Sequence, residues 1–256
     1  MTNKKDNEES KATKRADEDS ANNIKCWDCN ENATERLKQM FVDLIQKKRI
    51  ARGSVPARRA VFRKQHGIVY GEFKINKDIP DKFKLGIFSG DAYECALRFS
   101  SDAKPTGSDL KTTIGLGMKL FGVDGAKLFG EGVTSDFIFQ NIDRFFAKDA
   151  DQMCAFTTAG VIDGDSDAYL EKNPEVAAVL DDMKKVEASC LTAGYWSILP
   201  FKLGTKNIVK YRLVPDSTDG GAPFNSDDYL SLDLQRRLLN GSVKFRFEIQ
   251  LRTNDD

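Results

Sequence analysis

The sequence predicts an α+β protein built on an antiparallel sheet or barrel with inserted helices. Three observations carry that expectation: short stretches of period-two hydrophobicity follow Gly53, helical stretches interrupt them after the fourth, and further strands close the chain.

The elements follow in order. Residues 1–30 read as a disordered tail, because Lys, Asp, Glu, Ser, Asn and Ala in mixed order, with Ile24 as the one aliphatic side chain of the first 24 residues, cannot offset the entropy of ordering them. Across residues 32–50, Leu37, Met40, Phe41, Leu44 and Ile45 recur at helical spacing, which predicts an amphipathic helix with Thr34 as its cap. Strands are predicted over 68–75, 93–99, 115–121, 136–140, 209–214 and 243–251. In the last of these Val243, Phe245, Phe247, Ile249 and Leu251 alternate with Lys244, Arg246, Glu248 and Gln250, the pattern of a half-buried strand. Helices are predicted over 143–156, over 174–190 with Asn173 as cap and Pro174 in the first turn, and over 227–239.

Composition narrows the function classes. Lys plus Arg and Asp plus Glu both number 39, so no net field draws the chain to nucleic acid or to an anionic membrane. No apolar run approaches the roughly 18 residues of a membrane span, and the opening Met-Thr-Asn-Lys-Lys-Asp lacks a secretory core, so a cytoplasmic protein is expected. Cysteines 26, 29, 95, 154 and 190 are odd in number with one close pair, which predicts free thiols. Cys26-Trp-Asp-Cys29 has the spacing of redox and zinc sites, but a zinc site needs a second pair of ligands that the sequence does not offer, and no metal ligand is predicted. Gly-rich phosphate loops, HExxH and GxSxG are absent from the sequence.

Several colinear segments carry a resemblance. They are Arg59-Ala-Val-Phe-Arg-Lys-Gln-His-Gly-Ile-Val-Tyr-Gly-Glu-Phe73, Leu97-Arg-Phe-Ser100, Gly115-Leu-Gly-Met-Lys-Leu-Phe-Gly-Val123 and Asp136-Phe-Ile-Phe-Gln-Asn-Ile-Asp-Arg-Phe-Phe-Ala-Lys-Asp149. Tyr195-Trp-Ser-Ile-Leu-Pro-Phe-Lys-Leu-Gly204, Val209-Lys-Tyr-Arg-Leu-Val-Pro215 and residues 245–253 follow at fitting distances. Together they resemble the catalase superfamily, closest in appearance to the small catalase-related haem peroxidases with a shortened C-terminus. The resemblance covers about residues 35–253 and makes 31–256 one catalase-like domain.

The resemblance implies an eight-stranded antiparallel barrel with haem in a pocket beside it and peroxide split above the iron by a histidine and an asparagine, as acid and base. Phe62 stands at the histidine position. His66, the one histidine of the chain, lies four residues along, on the same strand face if the strand runs through both, at roughly 13 Å. The distal amide is Gln140 or Asn141. Arg59 and Arg98 match the arginines on the haem propionates, with ordinary ion pairs as the alternative. Phe62, Phe146 and Met153 fall on the apolar lining of the cofactor site. The iron ligand of the family is a tyrosine phenolate with an arginine four residues before it. Here the residues four before the tyrosines are His66, Ser89, Asp165, Leu191, Asn207 and Asn225.

Two expectations follow. One is a haem-binding domain of peroxide decomposition or peroxidase chemistry that lacks the distal histidine and the proximal tyrosine. The other is a haem-free barrel with an apolar cavity for a lipid-like molecule or a partner chain. In either case strand 243–251 is expected to leave one edge open, through which a second copy can pair.

Overall fold

The computed structural model describes residues 29–55, 58–127 and 130–253. Cys26 and most of the predicted tail lie outside them. The chain divides into two compact units, one of residues up to Ala60 together with Ala147–Ala177, the other of Val61–Phe146 with Ala178–Asp256.

The first unit is helical. Helix α1 (Cys29–Lys38) runs on through a π-helical stretch, Gln39–Lys47, into a last turn, α2 (Lys48–Ala51). Cys29 and Asn30, assigned above to the tail, are helical. The cap of the main helix is Asn32 and not Thr34: its backbone is non-helical and its Oδ1 accepts the Glu35 amide at 3.1 Å. Met40 is fully buried, in a cluster with Ala33 and Cys154 against which Leu37, Leu44 and Ile162 pack.

Helix α3 (Ala150–Thr158) starts seven residues later than predicted, because the Asp149 carboxylate accepts the Gln152 amide at 2.8 Å and fixes the first turn there. It continues as a π-helical stretch, Ala159–Asp163, and stops at left-handed Gly164. The region beyond holds α4 (Ser166–Lys172), capped by Asp165, and α5 (Pro174–Met183), which ends well before residue 190. The Asn173 side chain caps nothing ahead of it. Its Nδ2 donates back to the Tyr169 carbonyl, and its own carbonyl accepts the Val176 and Ala177 amides.

The expectation of free thiols is overturned for one pair. Cys29 and Cys154, 125 residues apart with Cα atoms at 5.8 Å, form a disulfide. Two helices packed side by side bring them together, and a separation of that length carries no signal in a spacing pattern. Cys95 and Cys190 are free and buried.

The second unit is an antiparallel sheet curled into an incomplete barrel. Its strands are β1 (Lys64–Lys74), β2 (Ala92–Ser101), β3 (Ile114–Phe121), β4 (Thr134–Gln140), β5 (Tyr195–Ser197), β6 (Phe201–Leu203), β7 (Asn207–Pro215) and β8 (Phe245–Leu251). The order is β1-β2-β3-β4-β5-β7-β6, with β8 also paired to β7, and every pairing is antiparallel. The six predicted strands are present, and the short strands β5 and β6, each paired to β7, fall in the segment from Tyr195 to Gly204.

The core on the inner face of this sheet is aromatic. Phe137 meets Tyr211 and Phe247 edge-on at 5.2 and 5.3 Å between centroids, and Phe73 meets Phe247 at 5.1 Å. Phe73 on β1 and Phe247 on β8 thus touch, yet among the described residues no ladder joins those strands. Helix α6 (Tyr229–Leu239) packs on β1 at Gly67, where a Cβ would lie 2.6 Å from Leu234 Cδ2.

Candidate functional site

Phe62, His66, Arg98, Gln140, Asn141 and Phe146 lie in the sheet unit, Arg59 and Met153 in the helical one. Phe62 precedes β1 instead of lying on it, and its φ of 49° is left-handed. A register irregularity between Gln65 and Gly67 follows, so the two-residue parity that would have put Phe62 and His66 on one strand face does not hold.

Arg98 sits on β2 opposite Ile68 and Gly117. Its Nη2 donates to the Phe62 carbonyl at 2.9 Å, Nη1 to Ser100 Oγ at 2.8 Å, and Nε to Gln65 Oε1 at 3.3 Å. These contacts place all three guanidinium nitrogens on neutral acceptors and tie the turn before β1 to the sheet.

The two amides differ. Asn141 is locked: its backbone N–H donates to the Ile114 carbonyl, its Oδ1 accepts the Ile114 amide at 3.1 Å, and its Nδ2 donates to Glu187 Oε1 at 3.1 Å. Gln140 donates through Nε2 to the Arg144 carbonyl at 2.8 Å, while its buried Oε1 has no hydrogen-bond partner. Phe146 packs against Phe145 at 4.6 Å. Arg59 is exposed, with its carbonyl accepting from the Arg49 guanidinium. Met153 is half-buried on α3, where its carbonyl accepts from Thr157 Oγ1 at 2.7 Å.

His66 belongs to a cluster that no sequence pattern announces. Its side chain is fully buried, neither ring nitrogen has a hydrogen-bond partner, and Nδ1 lies 3.8 Å from Asp109 Oδ1. The same oxygen takes the Lys64 ammonium at 2.7 Å, and Lys64 also reaches Asp228 at 2.9 Å and the carbonyls of Gly107 and Asp227. Asp109 Oδ2 accepts the Leu230 amide at 2.9 Å, and Tyr229 donates its hydroxyl to the carbonyls of Asp109 and Glu187. Burial opposes the charge on Lys64, but its bonds to Asp109 and Asp228 outweigh that and hold its pKa above the ordinary value. Burial is the largest influence on His66 and depresses its pKa to about 4, so its imidazole is neutral at pH 7. The cluster pins α6 and the loop carrying Asp109 to the start of β1. Each of Lys64, Asp109 and Tyr229 would read from sequence as an ordinary surface residue.

Tyr169, Tyr195, Tyr211 and Tyr229 do not fit the phenolate ligand of a catalase-type haem. A phenolate ligand needs a tyrosine whose charged form is favoured, whereas Tyr195 and Tyr229 are buried hydroxyl donors, to Cys190 O at 2.8 Å and to the carbonyls above. Burial holds Tyr195 well above the usual phenol range and pushes Tyr229 up to about 12. Burial also raises Tyr169 and Tyr211. Among the described residues no group of three or more His, Cys, Asp or Glu side chains is placed to hold a metal ion, and no helix is long and apolar enough to cross a membrane.

No family model matches the sequence, and no curated protein matches it. Solved structures do match the fold. A fungal catalase aligns with a TM-score of 0.60 at 19% identity, covering 77% of this chain and 43% of its own. Catalase A from Saccharomyces cerevisiae aligns with a TM-score of 0.59 at 19% identity, covering 78% of this chain and 45% of its own. The chain spans less than half the length of either catalase, and what it shares with them is the fold: an antiparallel catalase-like barrel, here incomplete.

Proposed function

We propose that this catalase-like fold serves as a haem-free binding or interaction module and does not turn over peroxide. The observation that supports this most strongly is Phe62. Peroxide heterolysis needs a group that takes a proton from one oxygen and returns it to the other. Phenylalanine does neither, and its ring lies against Gly115. His66 offers no replacement, being sealed beside Lys64 and Asp109. The Arg98 guanidinium is engaged with Gln65, Ser100 and the Phe62 carbonyl, and Asn141 is spent on Ile114 and Glu187.

An interaction role is supported by the outer surface of the sheet. Ile68 and Ile138 stand in one cross-strand row with Arg98 and Gly117, and Tyr70 lies in the next; they are 53, 60 and 79% exposed. Among the described residues no strand pairs with β8 on the side away from β7, an edge along which a second copy of this chain can add. The competing reading, a haem-binding domain with Arg59 and Arg98 on the propionates and Gln140 or Asn141 above the iron, draws on the fold and on the resemblance alone.

Titration of the purified chain with hemin, followed in the Soret region, separates the two. The module reading expects only the weak, non-saturating change of a protein that adsorbs hemin. A stoichiometric end point with a sharpened Soret band that shifts on adding peroxide would favour the competing reading.

A further inference from the structure

The open edge of β8 is complementary to itself. Neighbours in an antiparallel ladder alternate between pairs that exchange backbone hydrogen bonds and closer pairs that do not. Just past the two ends of the β7–β8 ladder, and in its register, the Arg252 amide donates to the Ile208 carbonyl at 2.9 Å and the Asp216 amide to the Lys244 carbonyl at 3.1 Å. The even-numbered residues of β8 therefore bond to β7, and the N–H and C=O groups of Phe245, Phe247, Ile249 and Leu251 point to the other side. Among the described residues no strand meets them there. The side chains of the same four residues face the core and are only partly buried, whereas Phe137 on β4 and Tyr211 and Leu213 on β7 are buried. The edge is seven residues long, roughly 23 Å at about 3.3 Å per residue, and a strand added to it would satisfy the backbone and cover the remaining apolar surface.

The outer face of the strand selects which strand that is. Arg246 and Glu248 have side chains 66 and 37% exposed, and Arg246 Nε donates to Glu248 Oε1 at 2.7 Å within the strand. When a second β8 approaches antiparallel about a two-fold axis, both members of a hydrogen-bonded pair must present their backbone groups, so odd-numbered residues meet odd-numbered residues. An axis at Arg246 sets that residue opposite its own copy, and an axis at Glu248 does the same with the carboxylates. Both put like charges in the closer pairs, where they destabilise. An axis at Phe247 sets Arg246 opposite Glu248 on each side of the dyad, Lys244 opposite Gln250 and Phe245 opposite Ile249. Axes further along the strand shorten the overlap.

We propose that two copies of this chain join β8 to β8 about a two-fold axis at Phe247, Arg246 of each copy on Glu248 of the other. Phe245, Phe247 and Ile249 of one copy exchange backbone hydrogen bonds with Ile249, Phe247 and Phe245 of the other, and one sheet runs through both. The inference rests on the interaction reading above and gives it a partner and a register. The ion pair that each strand now makes within itself is traded for two pairs across the dyad, so charge decides the register and the backbone supplies the adhesion.

Sedimentation equilibrium of the full chain tests this. Wild type should form dimers at about 100 μM or below. Arg246→Glu and Glu248→Arg each set like charges opposite one another at both symmetric contacts, and each should weaken the dimer at least about tenfold with the circular dichroism unchanged. An equimolar mixture of the two variants restores opposite charges at both contacts and should recover dimers with one copy of each. The chain carrying both reversals should dimerise by itself, which separates a lost contact from a damaged fold. The proposal is overturned if wild type stays monomeric at about 100 μM, if Arg246→Glu dimerises as wild type does, or if neither the mixture nor the doubly reversed chain recovers dimers. Unchanged dimerisation of Arg246→Glu would place the axis at Glu248, where Gln250 faces Arg246. Each of these results leaves the haem-free reading standing, since the hemin titration decides that separately.

Discussion

The Phe62 ring fills the space above Gly115: a Cβ on that glycine would lie 2.7 Å from Phe62 Cε1 and 3.3 Å from the Phe139 carbonyl. The left-handed backbone of Phe62 and the Arg98 bond to its carbonyl hold the ring there. Gly115→Ala should therefore cost about 1–3 kcal/mol by overpacking. In a Phe62→Gly background, which also relieves roughly 1–2 kcal/mol of left-handed strain, the same substitution should cost clearly less. A double-mutant cycle by urea denaturation checks this, and additive costs would contradict the contact.

Lys64 and Asp109 form a pair in which the side chains are 5 and 0% exposed. Removing one partner of a buried pair strands the other, so Asp109→Ala should destabilise by about 3–5 kcal/mol, near the lower figure because Lys64 keeps the more exposed Asp228. Equilibrium unfolding measures it. A loss below about 1 kcal/mol, the range of a surface bridge, would mean the pair is not sealed.

His66 sets a pH dependence. Its folded pKa of about 4 lies below the ordinary 6.5, so between those values the unfolded chain binds the proton and the native state does not. The contribution is fully present above about pH 6.5, declines as pH falls towards about 4, and amounts to about 3 kcal/mol across the window. Asp102 acts in the opposite sense: burial raises its pKa, so it favours the folded state at acid pH and loses that contribution as pH rises through its folded value. The difference between wild type and His66→Leu isolates the histidine. That difference should change by a few kcal/mol between pH 4 and 7, and parallel curves would contradict the assignment.

The Cys29–Cys154 disulfide should appear as a crosslinked peptide pair in a non-reducing digest. Closing a loop of 125 residues constrains the unfolded chain by about 4–5 kcal/mol on the chain-entropy estimate. Dithiothreitol or Cys154→Ser should therefore lower the unfolding midpoint and speed proteolysis of the helical unit. Recovery of a Cys26–Cys29 pair in its place would contradict the pairing.

The sheet was legible in the sequence to the extent that period-two alternation is a local property. β8 was the clearest strand, although its pairing to β7 begins only at Phe245, opposite Pro215, and Val243 stays outside. Helix ends were misplaced where a polar side chain one turn away decided them, as with Asn32 and Asp149. The long-range features were not legible. Lys64, His66 and Asp109 meet because β1, a loop and α6 converge, and no residue among them carries a pattern that announces it. Of the candidate site residues, Phe62 was expected on a strand and lies before it, in a left-handed backbone. The bond from Arg98 to its carbonyl belongs to the turn that only the folded backbone reveals.

The most direct test of the central claim is oxygen release from hydrogen peroxide by the chain purified from cells supplied with a haem precursor. A haem-free module carries no haem at stoichiometric level and releases oxygen no faster than an equal concentration of free hemin. One haem per chain with oxygen release far above that control would contradict it.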